Sequence, residues 1–182
     1  ARPYYDPPEP TYAYGEAHDL DIYLEFMKRQ IKELLTQYGP IAAIWLDGVA
    51  VPREGDTDAF KCEELYEMIR SLQPQVLVSY KDGITGTEDY FAPEQGWTLE
   101  KLKEKQIEIC AHMSGGWGYT AGTEHKSEGD VWELLRQTRE AGANLLLNTG
   151  ILPDGSIDPV DERILRAVGE RLAREGVPGE GS

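Results

Sequence analysis

The spacing of hydrophobic positions changes character along this chain, and the changes mark its elements. From Asp19 to Tyr38 apolar residues recur at helical intervals. Ile22, Phe26, Met27, Ile31, Leu34, Leu35 and Tyr38 fall on one face, and Lys28, Arg29, Lys32 and Glu33 fall largely on the other. Asp19 suits the N-cap, and Gly39-Pro40 supplies the stop. The next residues, Ile41-Ala42-Ala43-Ile44-Trp45-Leu46, are apolar at every position and end abruptly at Asp47-Gly48. So short a run predicts a strand buried on both faces, the usual situation in a parallel sheet, with Asp47 at its C-terminal end.

The same alternation continues. A polar loop over 51–57 leads to a helix opening near Asp58, with Cys62, Leu65, Ile69 and Leu72 as its stripe and Pro74 beyond its end. Val76-Leu77-Val78-Ser79-Tyr80 reads as the second strand. The stretch from Lys81 to Thr98 is rich in Gly, Thr and acids, and irregular loops of that length tend to be functional. A third strand is expected over Ile107–Met113, followed by the glycine-rich Ser114-Gly115-Gly116-Trp117-Gly118-Tyr119. A helix over Asp130–Ala141 turns Val131, Leu134, Leu135 and Thr138 inward, and Gly142 stops it. Asn144–Asn148 is the fourth strand, and Pro153-Asp154-Gly155 a turn. Asp158-Pro159 places an N-cap and a first-turn proline before Ile164, Leu165, Val168 and Leu172. Residues 1–18 read as an extended entry segment and 177–182 as a frayed tail.

Strands alternating with helices predict an α/β fold, a parallel sheet with helices outside it. Four strands are too few for a complete eight-stranded barrel, which usually takes about 250 residues. Two architectures fit: a small open α/β sheet, or the C-terminal half of a (β/α)8-like barrel, with 1–182 a single partial domain. No GxGxxG or phosphate-loop motif supports nucleotide binding by the open sheet. In either architecture the C-terminal strand ends form one rim carrying Asp47, Tyr80, Lys81, Glu88, Asp89, Glu94, the Trp117 loop and Asn148.

Composition narrows the chemistry. A formal net charge of −15 over 182 residues argues against nucleic acid and against anionic membrane surfaces as partners. No apolar window is long enough to span a bilayer, and the first residues have neither the basic nor the apolar region of a signal peptide. The compartment is left open. Cys62 and Cys110 sit among apolar neighbours and read as buried thiols. No His, Cys and Asp grouping has metal-ligand spacing, so no metal is expected. His112 reads as a structural strand-end residue and His125 as a solvated loop residue.

Carboxylates and exposed aromatics with little basic charge make the inventory of a sugar-cleaving site. Glycoside hydrolysis needs one carboxylate and one carboxylic acid flanking the scissile bond. The stretch 23–40 running into Ile44-Trp45-Leu46-Asp47-Gly48 resembles the α-L-fucosidase family of retaining glycoside hydrolases. So do Glu88-Asp89-Tyr90-Phe91-Ala92-Pro93-Glu94, Ser114–Tyr119, and Asn144-Leu145-Leu146-Leu147-Asn148 through Leu152-Pro153-Asp154-Gly155-Ser156-Ile157. The resemblance covers Asp19 to Gly176 in the family's order and spacing.

The resemblance implies retaining hydrolysis of terminal α-L-fucosyl residues on a fucosylated glycan, without a cofactor. Asp47 would be the nucleophile and Glu94 the general acid/base, with Glu88 and Glu108 as its rivals. Trp45 and Trp117 would wall the sugar pocket, Trp117 against the deoxysugar's methyl group. Lys81 lies near where many relatives place a sugar-contacting arginine, and a lysine keeps the charge but not the bidentate fork. Histidines, a Glu-Trp pair and a tyrosine that relatives supply from earlier barrel strands have no counterparts here. The alternative is a non-catalytic half-barrel that binds carbohydrate or pairs with a partner chain. Its exposed sheet edges would drive it to dimerise or to seek an N-terminal half.

Overall fold

The computed structural model describes residues 20–48, 58–81, 83–94 and 105–179. The entry segment, the expected Asp19 cap, the loop over 51–57, residues 95–104 and the last residues of the tail lie outside them. The chain divides into two compact units, Ala1–Phe91 and Ala92–Ser182.

In the first unit, helix α1 (Leu20–Gln37) leads into strand β1 (Ala43–Leu46). A single 3-10 turn (Asp58–Phe60) precedes helix α2 (Cys62–Leu72), which leads to strand β2 (Leu77–Tyr80). The two strands run parallel with Ile44 opposite Val78 and Trp45 opposite Ser79. One face of this pair, Ile44, Leu46, Val78 and Tyr80, packs with Leu24, Ile31 and Leu35 of α1 and with Leu65, Tyr66 and Ile69 of α2. A short strand β3 (Tyr90–Phe91) follows.

Three expectations are corrected here. β1 is not buried on both faces: only Ile44 is buried, because the alternate face carries Trp45 and the exposed Asp47. The buried stripe of α1 is Leu24, Ile31 and Leu35, while Ile22, Phe26, Leu34 and Tyr38 are exposed. The two stripes lie side by side on the helix, so periodicity alone does not choose between them. The stretch after Lys81 is not wholly irregular, because β3 lies within it and gives a fifth strand.

In the second unit, strand β4 (Gln106–His112) precedes helix α3 (Glu128–Glu140), and strand β5 (Asn144–Asn148) precedes helix α4 (Pro159–Glu175). β4 and β5 are parallel, with Glu108 opposite Asn144 and His112 opposite Asn148. Helix α3 starts earlier than Asp130 because Ser127 caps it. The Ser127 hydroxyl accepts from Asp130 N, and the Asp130 carboxylate accepts from Ser127 N. Asp158 caps α4, with Pro159 in its first turn, as the sequence predicts. Met113, Val131 and Val168 form the core between strands and helices, joined by Leu147, Ile164, Leu165 and Leu172. The fold is therefore α/β, with parallel strands and outer helices.

Candidate active site

Parallel pairing puts the site residues of the first unit on one face. Side chains alternate along a strand, so Trp45, Asp47, Ser79 and Lys81 share the face opposite the helices. Lys81 follows β2 in a left-handed backbone conformation, φ 44°, and is buried. Its ammonium lies 4.8 Å from the centre of the Trp45 ring and 3.5 Å from Asp47 Oδ1. The Gly48 N–H donates to the same Asp47 oxygen at 2.7 Å. The carboxylate is thus held from one side, and its side chain is still 67 % exposed. On the same face, Trp45 Nε1 and Ser79 Oγ are buried without a hydrogen-bond partner.

The Lys81 ammonium, at the position where the resemblance implies a sugar contact, lies over Trp45 and against Asp47. Lys81→Met is expected to lower stability by about 1 kcal/mol, mostly through the lost cation–π contact, because the ion pair to an exposed carboxylate contributes little. A urea titration reads this as a lower midpoint with an unchanged slope.

Glu88 is 2 % exposed and saturated with donors. Its carboxylate accepts from Tyr66 Oη at 2.8 Å, Ile84 N at 2.7 Å, Thr85 N at 3.0 Å and Gly86 N at 3.0 Å. Burial opposes its ionisation most strongly. The Ile84 and Thr85 backbone N–H groups and the Tyr66 hydroxyl outweigh that and hold the carboxyl below the ordinary glutamate range. The same neighbourhood pushes the Cys62 thiol up to about 11, through burial first and the Glu88 charge second. Next to Glu88, Asp89 Oδ2 accepts from Val78 N at 2.7 Å, and Val78 O accepts from Asp89 N at 2.8 Å. Glu88 therefore organises the loop behind Lys81.

Glu88→Gln is expected to cost about 3 kcal/mol at neutral pH, since an amide nitrogen would face N–H donors in a buried site. The ionised carboxylate's contribution is fully present above the ordinary glutamate pKa of about 4.3 and is lost as pH falls through the lower folded value. Urea midpoints of the two proteins should therefore converge in acid. A gap that persists to strongly acid pH would contradict this assignment.

In the second unit Glu94 forms a parallel bridge with Cys110, and Pro93 O accepts from Cys110 N at 2.8 Å. Bridge partners in parallel strands share a face, which puts Glu94 with Cys110, His112 and Asn148. Glu94 is exposed. Glu108 is on this face too, but four residues before the end of β4, roughly 13 Å from His112 along the strand. Its carboxylate accepts from Asn144 Nδ2 at 2.7 Å.

Trp117, 43 % exposed, stands at the C-terminal strand ends. The His112 ring meets it edge to face at 5.2 Å, and Asn148 Nδ2 donates to its carbonyl at 2.9 Å. His112 also bonds the Ser114 carbonyl through Nδ1. His125 is corrected from a solvated loop residue: its Nδ1 lies 2.7 Å from Asp161 Oδ1, and its side chain is 20 % exposed. The sequence offered no signal for this pair, because an acid in a first helical turn ordinarily faces solvent at the positive end of the helix. Among the described residues no group of three or more His, Cys, Asp or Glu is placed to hold a metal ion.

A sequence model of the α-L-fucosidase family matches residues 2–177. The chain belongs to the α-L-fucosidase family. Tissue α-L-fucosidase of Mus musculus is 35% identical over 92 residues, which are 48% of this chain and 20% of that protein. α-L-Fucosidase isoenzyme 1 of Paenibacillus thiaminolyticus superimposes with a TM-score of 0.75 at 30% identity, over 88% of this chain and 41% of that one. α-L-Fucosidase AlfC of Lactobacillus casei, solved with α-L-fucose product, shares the fold with a TM-score of 0.69 at 22% identity, over 86% of this chain and 47% of that one. The chain thus spans less than half the length of these fucosidases.

Proposed function

We propose that this chain carries the catalytic carboxylates of a retaining α-L-fucosidase, in 1–182 as part of a (β/α)8-like catalytic domain. The observation that carries the reading is Asp47, an exposed carboxylate at the end of a parallel strand, gripped on one oxygen by Lys81 and Gly48 N–H. That is the position and constraint a nucleophile needs.

Asp47 Oδ2 attacks the anomeric carbon while the glycosidic C–O bond breaks, and its electron pair goes to the leaving oxygen. Glu94 protonates that oxygen. Glu94, now ionised, takes a proton from water as the water attacks the anomeric carbon, and the bond to Asp47 breaks with its electron pair returning to the carboxylate. This route requires carboxyl groups about 5–5.5 Å apart. Trp117 flanks the deoxysugar's methyl group, and Trp45 is the other wall of the sugar pocket. Glu88 has no part in proton transfer because four donors hold it ionised. Glu108 sits too far down β4.

Proton NMR of aryl α-L-fucoside hydrolysis tests the mechanism. α-L-Fucose appearing first supports the covalent route, and β-L-fucose appearing first overturns it. A second reading is a non-catalytic half-barrel that works only beside a partner chain. A sedimenting dimer without hydrolysis supports that reading instead.

A further inference from the structure

We propose that Asp161 is a positioning residue for the Trp117 loop and thereby sets how tightly the sugar is held. This rests on the assignment of Trp117 as a wall of the sugar pocket. Asp161 lies in the first turn of α4 and is 1 % exposed, a burial that an unneeded acid at a helix start would not have. Each carboxylate oxygen holds a different loop. Oδ1 lies 2.7 Å from His125 Nδ1, and Oδ2 accepts from Thr149 Oγ1 at 2.6 Å.

The two anchors bracket Trp117. His125 closes the loop that begins after β4, and Lys126 N donates to Met113 O at 2.7 Å beside it. Thr149 lies between two residues that touch the loop directly. Asn148 holds the Trp117 carbonyl. Gly150 comes so close to Gly118 and Tyr119 that a Cβ there would lie 2.9 Å from backbone atoms of both. Asp161 acts through these two contacts. It fixes the segment that seats Trp117 and the far end of the loop that carries it.

The test uses the chain labelled with 5-fluorotryptophan and read by fluorine NMR, with the Trp117 line assigned by Trp117→Phe. In Asp161→Ala, His125→Phe and Thr149→Val the ligand-free Trp117 line should shift or broaden while the Trp45 line stays in place. Thr149→Ser, which keeps the hydroxyl, should restore the wild-type line. For hydrolysis, the three disruptive variants should raise KM about tenfold with little change in kcat, as loss of uniform binding does. A wild-type Trp117 line in all folded disruptive variants overturns the proposal. If Asp161→Ala does not fold, the two single-arm variants decide it. A wild-type Trp117 line that L-fucose leaves unmoved overturns the sugar-wall assignment alone, since the clamp is read without ligand.

Discussion

Asp47→Gly is expected to reduce hydrolysis of an aryl α-L-fucoside by at least about 10⁴-fold, the scale on which removal of a nucleophile ordinarily acts. The loss should fall on kcat, because the carboxylate forms its bond only as the reaction proceeds. Glycine also leaves room for a small anion. Azide should then restore part of the turnover by attacking the anomeric carbon directly, giving β-L-fucosyl azide, inverted relative to the substrate. The structure adds a reason to expect that rescue. Lys81 stands against Trp45 and within 3.5 Å of Asp47 Oδ1, so a cation remains to attract the anion once the carboxylate is gone. Undiminished turnover in Asp47→Gly would remove Asp47 from the chemistry.

Glu94→Ala is expected to cost about 10²–10⁴-fold on substrates whose leaving oxygen needs a proton. On activated aryl fucosides the first step should survive, because a good leaving group departs unprotonated. Azide should then trap the glycosyl-enzyme on its open face and give α-L-fucosyl azide, retained relative to the substrate. The opposite azide products of the two variants distinguish nucleophile from acid/base without reference to distance. Glu108→Gln serves as the control. Glu108 lies toward the start of β4 and bonds Asn144, so its neutralisation should leave the leaving-group dependence unchanged. If Glu108→Gln instead reproduces the Glu94 pattern, the assignment of Glu94 is wrong.

Much of this molecule is legible one segment at a time. The alternation of helices and strands, the stop at Gly39, the cap at Asp158 and the strand ends at Asp47 and Asn148 all follow from spacing and capping chemistry. These are local decisions, made by residues a few positions apart. The strand Tyr90–Phe91 was less visible, because two residues among glycines and threonines carry no period. Its neighbour Asp89 shows what stabilises it there, since its backbone and carboxylate complete the hydrogen bonding of Val78.

The site divides in the same way. Asp47, Glu94, Trp45 and Trp117 can be nominated from their motifs, but their surroundings cannot. Lys81 pairs with Asp47 across the ladder, and Glu88 is buried by Tyr66, 22 positions away. Asp161 meets His125 from a distance of 36 residues. Such contacts leave no mark in a local pattern.

By itself, then, the sequence determined an α/β chain of the α-L-fucosidase family with a carboxylate at the end of its first strand, because periodicity, caps and motifs act over short spans. Only the tertiary structure decided which stripe of α1 enters the core, that Glu88 is sealed and ionised, and that one acid of α4 ties both loops around Trp117. The physical reason is burial: whether a side chain loses water depends on what folds over it, and those partners come from distant parts of the chain.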